Sequence, residues 1–144
     1  MSEITIRTAE PADAATIAEI CGSSLGYECS ETVVRERISW LDTSREHVFV
    51  AVKDGRVIGF VHADIYIPLY FDTLVNILGL AVAEGSKRLG AGRKLMEAVE
   101  EWAGEIGAAG IRLNSGGSRT DAHEFYRTIG FGDEKTQIRF FKEL

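Results

Sequence analysis

The sequence predicts an α/β fold of the α+β kind, a mixed and mostly antiparallel sheet with helices on both faces. Three observations carry that prediction. Apolar residues recur at helical spacing in "PADAATIAEICGSS" and again in "AGRKLMEAVEEWAGEI". Two β-rich runs flank Asp54-Gly55 in "HVFVAVKDGRVIGFVHADIYI", and Asp-Gly suits a tight hairpin turn because both central residues take positive φ. Between that hairpin and the second helical stretch lies "LVNILGLAV", apolar on both faces and therefore a central strand.

The remaining elements follow in order. "EITIRTA" alternates Ile4 and Ile6 with polar residues and reads as a first strand. The first helix has Pro11 at its first position and Gly22 as its stop, with Ala14, Ile17, Ala18 and Cys21 on its apolar side. After the small, polar loop "GSSLGYECS", a second helix runs from an N-cap at Ser30 to about Leu41 and buries Val34, Ile38 and Leu41. A third helix covers about Gly90 to Ile106, with Leu95, Met96, Val99, Trp102 and Ile106 along one stripe. "GIRLNS" is a short strand. "SRTDAHEFYRTIG" is a short helix with a capping box from Ser118 to Asp121, a face of Ala122, Phe125, Tyr126 and Ile129, and Gly130 as its cap. "KTQIRFFKEL" is expected to close the sheet as a last strand. With 144 residues and no repeat or linker, the chain is expected to form one domain over residues 1–144.

Composition narrows the function classes. Hydrophobic residues make up 45% and charged residues 26%, the balance of an ordinary globular protein. A net charge of -6 without a basic run argues against nucleic-acid binding, and no apolar run reaches the ~18–20 residues of a membrane span. "MSEITIRTAEPADA" lacks the basic-then-apolar layout of a signal peptide, so a cytoplasmic location is expected. Cys21 and Cys29 form no CxxC pair, and His47, His62 and His123 lack metal-ligand spacing, so no metal is expected.

"AVAEGSKRLGAGRKLM" places three glycines among basic residues where a strand gives way to a helix. The first turn of a helix has unpaired N–H groups and the positive end of the dipole, which together attract an anion. A phosphate loop of the form G-x-x-x-x-G-K-S/T has its first spacing in Gly85 and Gly90, but Ala91 and Gly92 stand in place of lysine and hydroxyl. A dinucleotide fingerprint fails at Leu95, where its third glycine belongs. A solvated glycine turn with a basic rim is the bland alternative.

The stretch resembles the acetyl-CoA signature of the GNAT superfamily of N-acetyltransferases, usually Q/R-x-x-G-x-G/A after a strand. The match falls on Lys87-Arg88-Leu89-Gly90-Ala91-Gly92, with Lys87 where the family has Gln or Arg. "AHEFYRTIGF" looks like the family's second motif, and "IRTAEPADAATI" with "VAVKDGRVIGF" looks like its amino-terminal half. "IRLNSGGSRTDAHEFYRTIGF" with "KTQIRFFKEL" is similar to a subgroup that includes aminoalkylphosphonate acetyltransferases.

The resemblance implies acetyl-CoA as cosubstrate, a small-molecule amine as acceptor and a homodimer. It implies that backbone groups of Leu80, Ala81 and Val82 bond the pantetheine arm, one of them serving the oxyanion. The loop from Lys87 to Gly92, with Arg93, would hold the pyrophosphate. Tyr126 would protonate the departing thiolate as general acid, although an aromatic beside Phe125 also suits a core position. Seven positions before Tyr126 many family members carry an asparagine; here Arg119 stands, facing coenzyme, substrate or solvent. Asn114 is a second contact of the same kind, or a residue that ends a strand. The general base stays open: Asn76, Leu78 and Gly79 occupy the places where relatives carry glutamate, which leaves His62, Asp64, Asp72, Glu28 or water. His62 and Asp64 share one side of their strand and suit a pair. Acceptor selection is expected from "GSSLGYECS" and "YIPLYFD", with Tyr27, Tyr66, Tyr70 and Phe71. A peptide or protein N-terminal acetyltransferase and a non-catalytic CoA-binding domain are the alternative readings.

Overall fold

The structure, a computed structural model, describes residues 3–144, so the first two residues of the amino-terminal stretch read for a leader lie outside it. Two compact units divide the chain, one running to Leu113 and the other from Asn114 to Leu144. The first unit holds strands β1 (Thr5–Thr8), β2 (Glu46–Lys53), β3 (Arg56–Tyr66), β4 (Leu74–Val82) and β5 (Gly110–Leu113). Its helices are α1 (Ala14–Ile20), α2 (Glu31–Ser39) and α3 (Ala91–Glu105). The second unit holds α4 (Thr120–Thr128).

The strands form one sheet in the order β1-β2-β3-β4-β5, antiparallel throughout except for the parallel β4–β5 pair. The Asp54-Gly55 turn behaves as its chemistry predicts: both residues take positive φ, 52° and 74°, and the hairpin β2–β3 closes tightly. Alternate residues of a strand point to opposite faces, and each face has its own cover. Val48, Val50, Phe60 and Ala81 pack with Ile17 and Ile20 of α1 and Ile38 of α2. From the other side α3 supplies Leu95, Met96, Val99 and Trp102, all buried. Asp13, the buried charged residue at the start of α1, is held by a two-pronged bond from Arg7 (2.8 and 3.0 Å) and by the Glu10 N–H (2.7 Å).

Three expectations are corrected. Gly22 does not stop the first helix. The chain starts as a 3-10 turn over Pro11–Asp13, continues through α1 and widens into a π turn over Cys21–Leu25. Its stop is Gly26, which takes the left-handed conformation (φ 74°) that a helix end needs. The Ser118–Asp121 capping box does not form, because α4 begins one residue later than that box requires, with Arg119 as its N-cap. The last strand is absent: residues 131–144 carry no regular structure, and Ile138, Phe140, Phe141 and Leu144 are exposed. Strand composition gives a segment the tendency to pair, but a ladder needs a neighbour, and among the described residues none pairs with it.

Candidate active site

β4 makes the site. Its first half, Leu74–Ile77, is laddered on both sides, to β3 and to Gly110–Leu113 of β5. Beyond Ile77 the ladder to β5 ends, and among the described residues Leu78–Val82 pairs in the sheet with β3 alone. At the same point the register with β3 slips: His62 faces Gly79 while Ala63 faces Ile77, so Leu78 is an extra, bulged residue. A bulge bends its strand and re-aims what it carries, and the Leu78 side chain is 53% exposed in a strand that is otherwise central.

The open side of β4 has a defined set of backbone groups. The Ala83 N–H donates to the Ile58 carbonyl (2.8 Å). Antiparallel alternation then turns the Ala81 backbone toward Phe60 in the ladder and the Leu80 and Val82 backbones away from β3. The Val82 carbonyl accepts from Ser24 Oγ (2.7 Å), a tie from the turn after α1 that no sequence motif announces. Of the three residues read for the pantetheine arm, Leu80 and Val82 face the open side and Ala81 faces β3.

The glycine loop follows directly. Glu84–Ser86 makes one 3-10 turn, and Lys87 Nζ pairs with Glu84 (3.1 Å) on the surface. Arg88 takes a positive φ of 67°. Gly90, at φ 89° and ψ 6°, is the N-cap of α3 and has no side chain to close the helix end. The Lys94 N–H makes the first intrahelical bond, to the Gly90 carbonyl (3.1 Å). The N–H groups of Ala91, Gly92 and Arg93 lie ahead of that bond and keep their donors for an anion. Arg88, Leu89 and Arg93 are exposed, while Ala91 is buried under the helix.

A chain of polar side chains lines the sheet face of His62. His62 Nε2 lies 2.7 Å from Glu46 Oε1. Asp64 does not pair with His62; it accepts from Asn76 Nδ2 (3.2 Å), and Asn76 Oδ1 accepts from Arg112 Nη1 (2.6 Å). The Arg112 guanidinium also sits over the Tyr66 ring, 4.8 Å from its centroid. Asp72 and Glu28 are exposed in loops. Of the aromatics read for the acceptor, Tyr27, Tyr66, Tyr70 and Phe71 are all exposed.

In the second unit, Tyr126 on α4 is half-buried, edge-on to Phe125 and Phe131 with ring centroids 5.5 and 5.7 Å apart. Burial pushes its phenol above the usual tyrosine range, while the nearby Arg119 charge pulls the other way. Arg119 and Asn114 are both exposed.

Comparison with known proteins bears on this geometry. The model of the Acetyltransferase (GNAT) family matches residues 14–131, most of the chain. This chain belongs to the GNAT family. A relative from Stenotrophomonas maltophilia, an aminoglycoside N(6')-acetyltransferase type 1, is 29% identical over 144 residues, 96% of this chain and 92% of its own. Two solved structures share the fold at lower identity. A transcriptional regulator from Bacillus halodurans C-125 superposes with a TM-score of 0.84 at 18% identity, over 97% of this chain and 100% of that one. AAC(6')-Iy in complex with the bisubstrate analogue CoA-S-monomethyl-acetylneamine superposes with a TM-score of 0.83 at 20% identity, over 99% and 100%.

As a GNAT protein the chain is an acyltransferase that uses acetyl-CoA as cosubstrate. The first unit fits that molecule on its own terms. An open strand edge with outward-turned Leu80 and Val82 runs straight into a helix start with unclaimed donors and a basic rim. Sequence reasoning found the loop but missed the Glu46 partner of His62 and the Asn76–Arg112 link. A regular ladder from the two-residue turn would set His62 opposite His47. An irregularity between Ala51 and Val52 shifts the register, so His62 faces Val48 and Glu46 comes onto its side.

Proposed function

We propose that the protein is an N-acetyltransferase that moves the acetyl group of acetyl-CoA to a primary amine of a small molecule by direct attack in a ternary complex. The observation that carries this reading is the parting of β4 from β5 after Ile77, with the bulge at Leu78 and, beyond it, the outward-turned Leu80 backbone and Val82 N–H. Bound there, acetyl-CoA supplies an activated thioester carbonyl. Leu80 and Val82 hold and orient the pantetheine arm, with an N–H beside the oxygen that gains charge. Gly90, Ala91, Gly92 and Arg93, with Lys87, Arg88 and Leu89 on the rim, hold the pyrophosphate. Ala81 supports the strand from its ladder. From the family likeness, Tyr126 is assigned the proton for the departing sulfur, and Asn114 and Arg119 are assigned contacts with the coenzyme.

Among acceptors, aminoglycosides have the support of the Stenotrophomonas maltophilia relative. A net charge of -6 favours a polycationic amine. The aminoalkylphosphonate likeness gains no such support. The protein acts as a single-domain cytoplasmic homodimer. No described helix is long and apolar enough to cross a membrane.

Release of thiol from acetyl-CoA, followed across aminoglycosides, polyamines, amino acids, aminophosphonates and peptides, tests the reading. Turnover with aminoglycosides is the expected result. Turnover with peptides alone makes it an N-terminal acetyltransferase, and binding without turnover on any amine makes it a non-catalytic domain.

A further inference from the structure

An amine acceptor is protonated at neutral pH and must lose a proton before it attacks. Resting on the acetyl-transfer reading above, we propose that His62 is the general base that takes this proton, and that Glu46 positions it.

His62 lies directly across from Gly79, beside the bulge at Leu78. The next residue along β4 is Leu80, whose backbone turns to the open side, one residue rise of about 3.4 Å further on. Base and acetyl-holding backbone therefore meet within one short span of two neighbouring strands. The His62 and Glu46 side chains are 32% and 33% exposed, covered enough to hold a fixed geometry and open enough to meet a ligand. A carboxylate only accepts hydrogen bonds, so Glu46 Oε1 fixes the proton on Nε2 and leaves the lone pair on Nδ1. Among the described residues no hydrogen bond engages that Nδ1.

Gly79 adds an independent observation. Its φ is not in the left-handed region, and a Cβ there would meet only Phe60 Cε2, at an ordinary 3.8 Å. Neither conformation nor crowding demands glycine. What its missing side chain leaves is space beside Phe60 on the sheet face that His62, its cross-strand partner, shares, and an acceptor amine can enter there. The rival carboxylates are placed less well: Asp64 is bound to Asn76 two residues further along β3, and Asp72 and Glu28 sit in exposed loops.

R–NH3+ gives one proton to Nδ1 of neutral His62, and Glu46 steadies the imidazolium. The freed lone pair forms the N–C bond to the acetyl carbonyl carbon, and the C–S bond breaks with its electron pair going to sulfur. The nitrogen sheds a second proton as the amide forms, the departing sulfur takes one up, and the His62 proton passes to solvent.

The test uses the full chain with acetyl-CoA and the best amine from the thiol-release panel. His62→Gln is expected to lower kcat about 100-fold, the range general bases contribute, with the KM for acetyl-CoA within about twofold of wild type. Glu46→Gln is expected to lower kcat by a smaller factor, about tenfold, again sparing that KM. Imidazole added to His62→Ala is expected to restore part of the turnover, a response that a merely structural histidine would not give. If His62→Gln is poorly folded by circular dichroism, His62→Asn and the imidazole titration of His62→Ala carry the test. Unchanged kcat in His62→Gln, in an enzyme whose wild type turns over, overturns the base and leaves the acetyl-transfer reading standing. A slow variant with a raised acetyl-CoA KM and no imidazole rescue marks a structural role and overturns it too. A wild type that binds acetyl-CoA but acetylates no amine overturns both readings together.

Discussion

At the scale of single residues, environment decides what a titratable group does. The Tyr126 phenol is held above its usual range mainly by burial, against the opposing pull of Arg119. It therefore keeps its proton at neutral pH, the state a general acid needs. Tyr126→Phe removes the proton and little of the packing against Phe125 and Phe131. Turnover is expected to fall about tenfold to 100-fold while the affinity for acetyl-CoA, measured by calorimetric titration, stays put; unchanged turnover would remove Tyr126 from the chemistry. His47 shows the opposite use of burial. Its ring stacks on Phe49 (centroids 4.9 Å apart, planes 3° apart), meets Trp102 edge-on, and leaves Nδ1 buried without a partner. Burial lowers its pKa, with Glu105 opposing. Because the folded state resists protonation and the unfolded chain does not, unfolding takes up a proton at low pH. The stability is whole above the unfolded imidazole value, about 6.5, and drains away as pH falls below it toward the folded value. His47→Leu should shrink the drop in Tm between about pH 7.5 and about pH 5.5; an undiminished drop would assign the acid sensitivity to other groups. Cys21 is a third case: burial, with Cys29 beside it, pushes its thiol up to about 11. That keeps it protonated and slow toward alkylating reagents at neutral pH.

At the scale of elements, the predicted strand, loop and helix at the site were legible because each rests on local chemistry. "LVNILGLAV" is β4 residue for residue, and α3 begins at Ala91, one residue from the predicted start. The Asp54-Gly55 turn and the Ser30 cap, which accepts from the Val33 N–H at 3.4 Å, are equally local. What stayed hidden depends on register. The bulge at Leu78 and the slip after Ala51 are settled by packing on both sheet faces, and no residue type announces them. That is why Glu46 went unread and Asp64 was matched with the wrong neighbour. Gly90 offers a direct test of the helix start. A side chain there would touch nothing within 4 Å, so the only obstacle is its φ of 89°. Gly90→Val therefore costs about 1–3 kcal/mol of backbone strain and disturbs the donors of Ala91 and Gly92. We expect a lower Tm and an acetyl-CoA Kd raised about tenfold or more. Gly85, equally uncrowded but not at positive φ, is the control, and Gly85→Val should leave both unchanged. Equal effects at the two sites would mean that the conformation of Gly90 is immaterial to binding.

At the scale of the whole molecule, the carboxyl-terminal stretch is where the proposed homodimer can be tested. "KTQIRFFKEL" has the composition of a strand, yet it joins no ladder among the described residues. Ile138, Phe140, Phe141 and Leu144 stand 79%, 88%, 74% and 111% exposed. Scattered apolar residues on a surface are ordinary, but four strongly exposed ones within seven consecutive positions are a concentration. A second copy of the chain is the partner this reading assigns to it, and it is what makes the homodimer a physical claim. Burying a phenylalanine is worth about 1.5–3 kcal/mol, so replacing both Phe140 and Phe141 by aspartate removes several kcal/mol from such an interface. The wild type should sediment at twice the chain mass at micromolar concentration. The double variant should sediment as a monomer, with a dissociation constant raised by about two orders of magnitude or more. Because neither Phe140 nor Phe141 is among the residues proposed to hold the coenzyme, acetyl-CoA affinity should survive the change. A wild type that remains monomeric at tens of micromolar would refute the dimer and return the exposed segment to a role for some other surface.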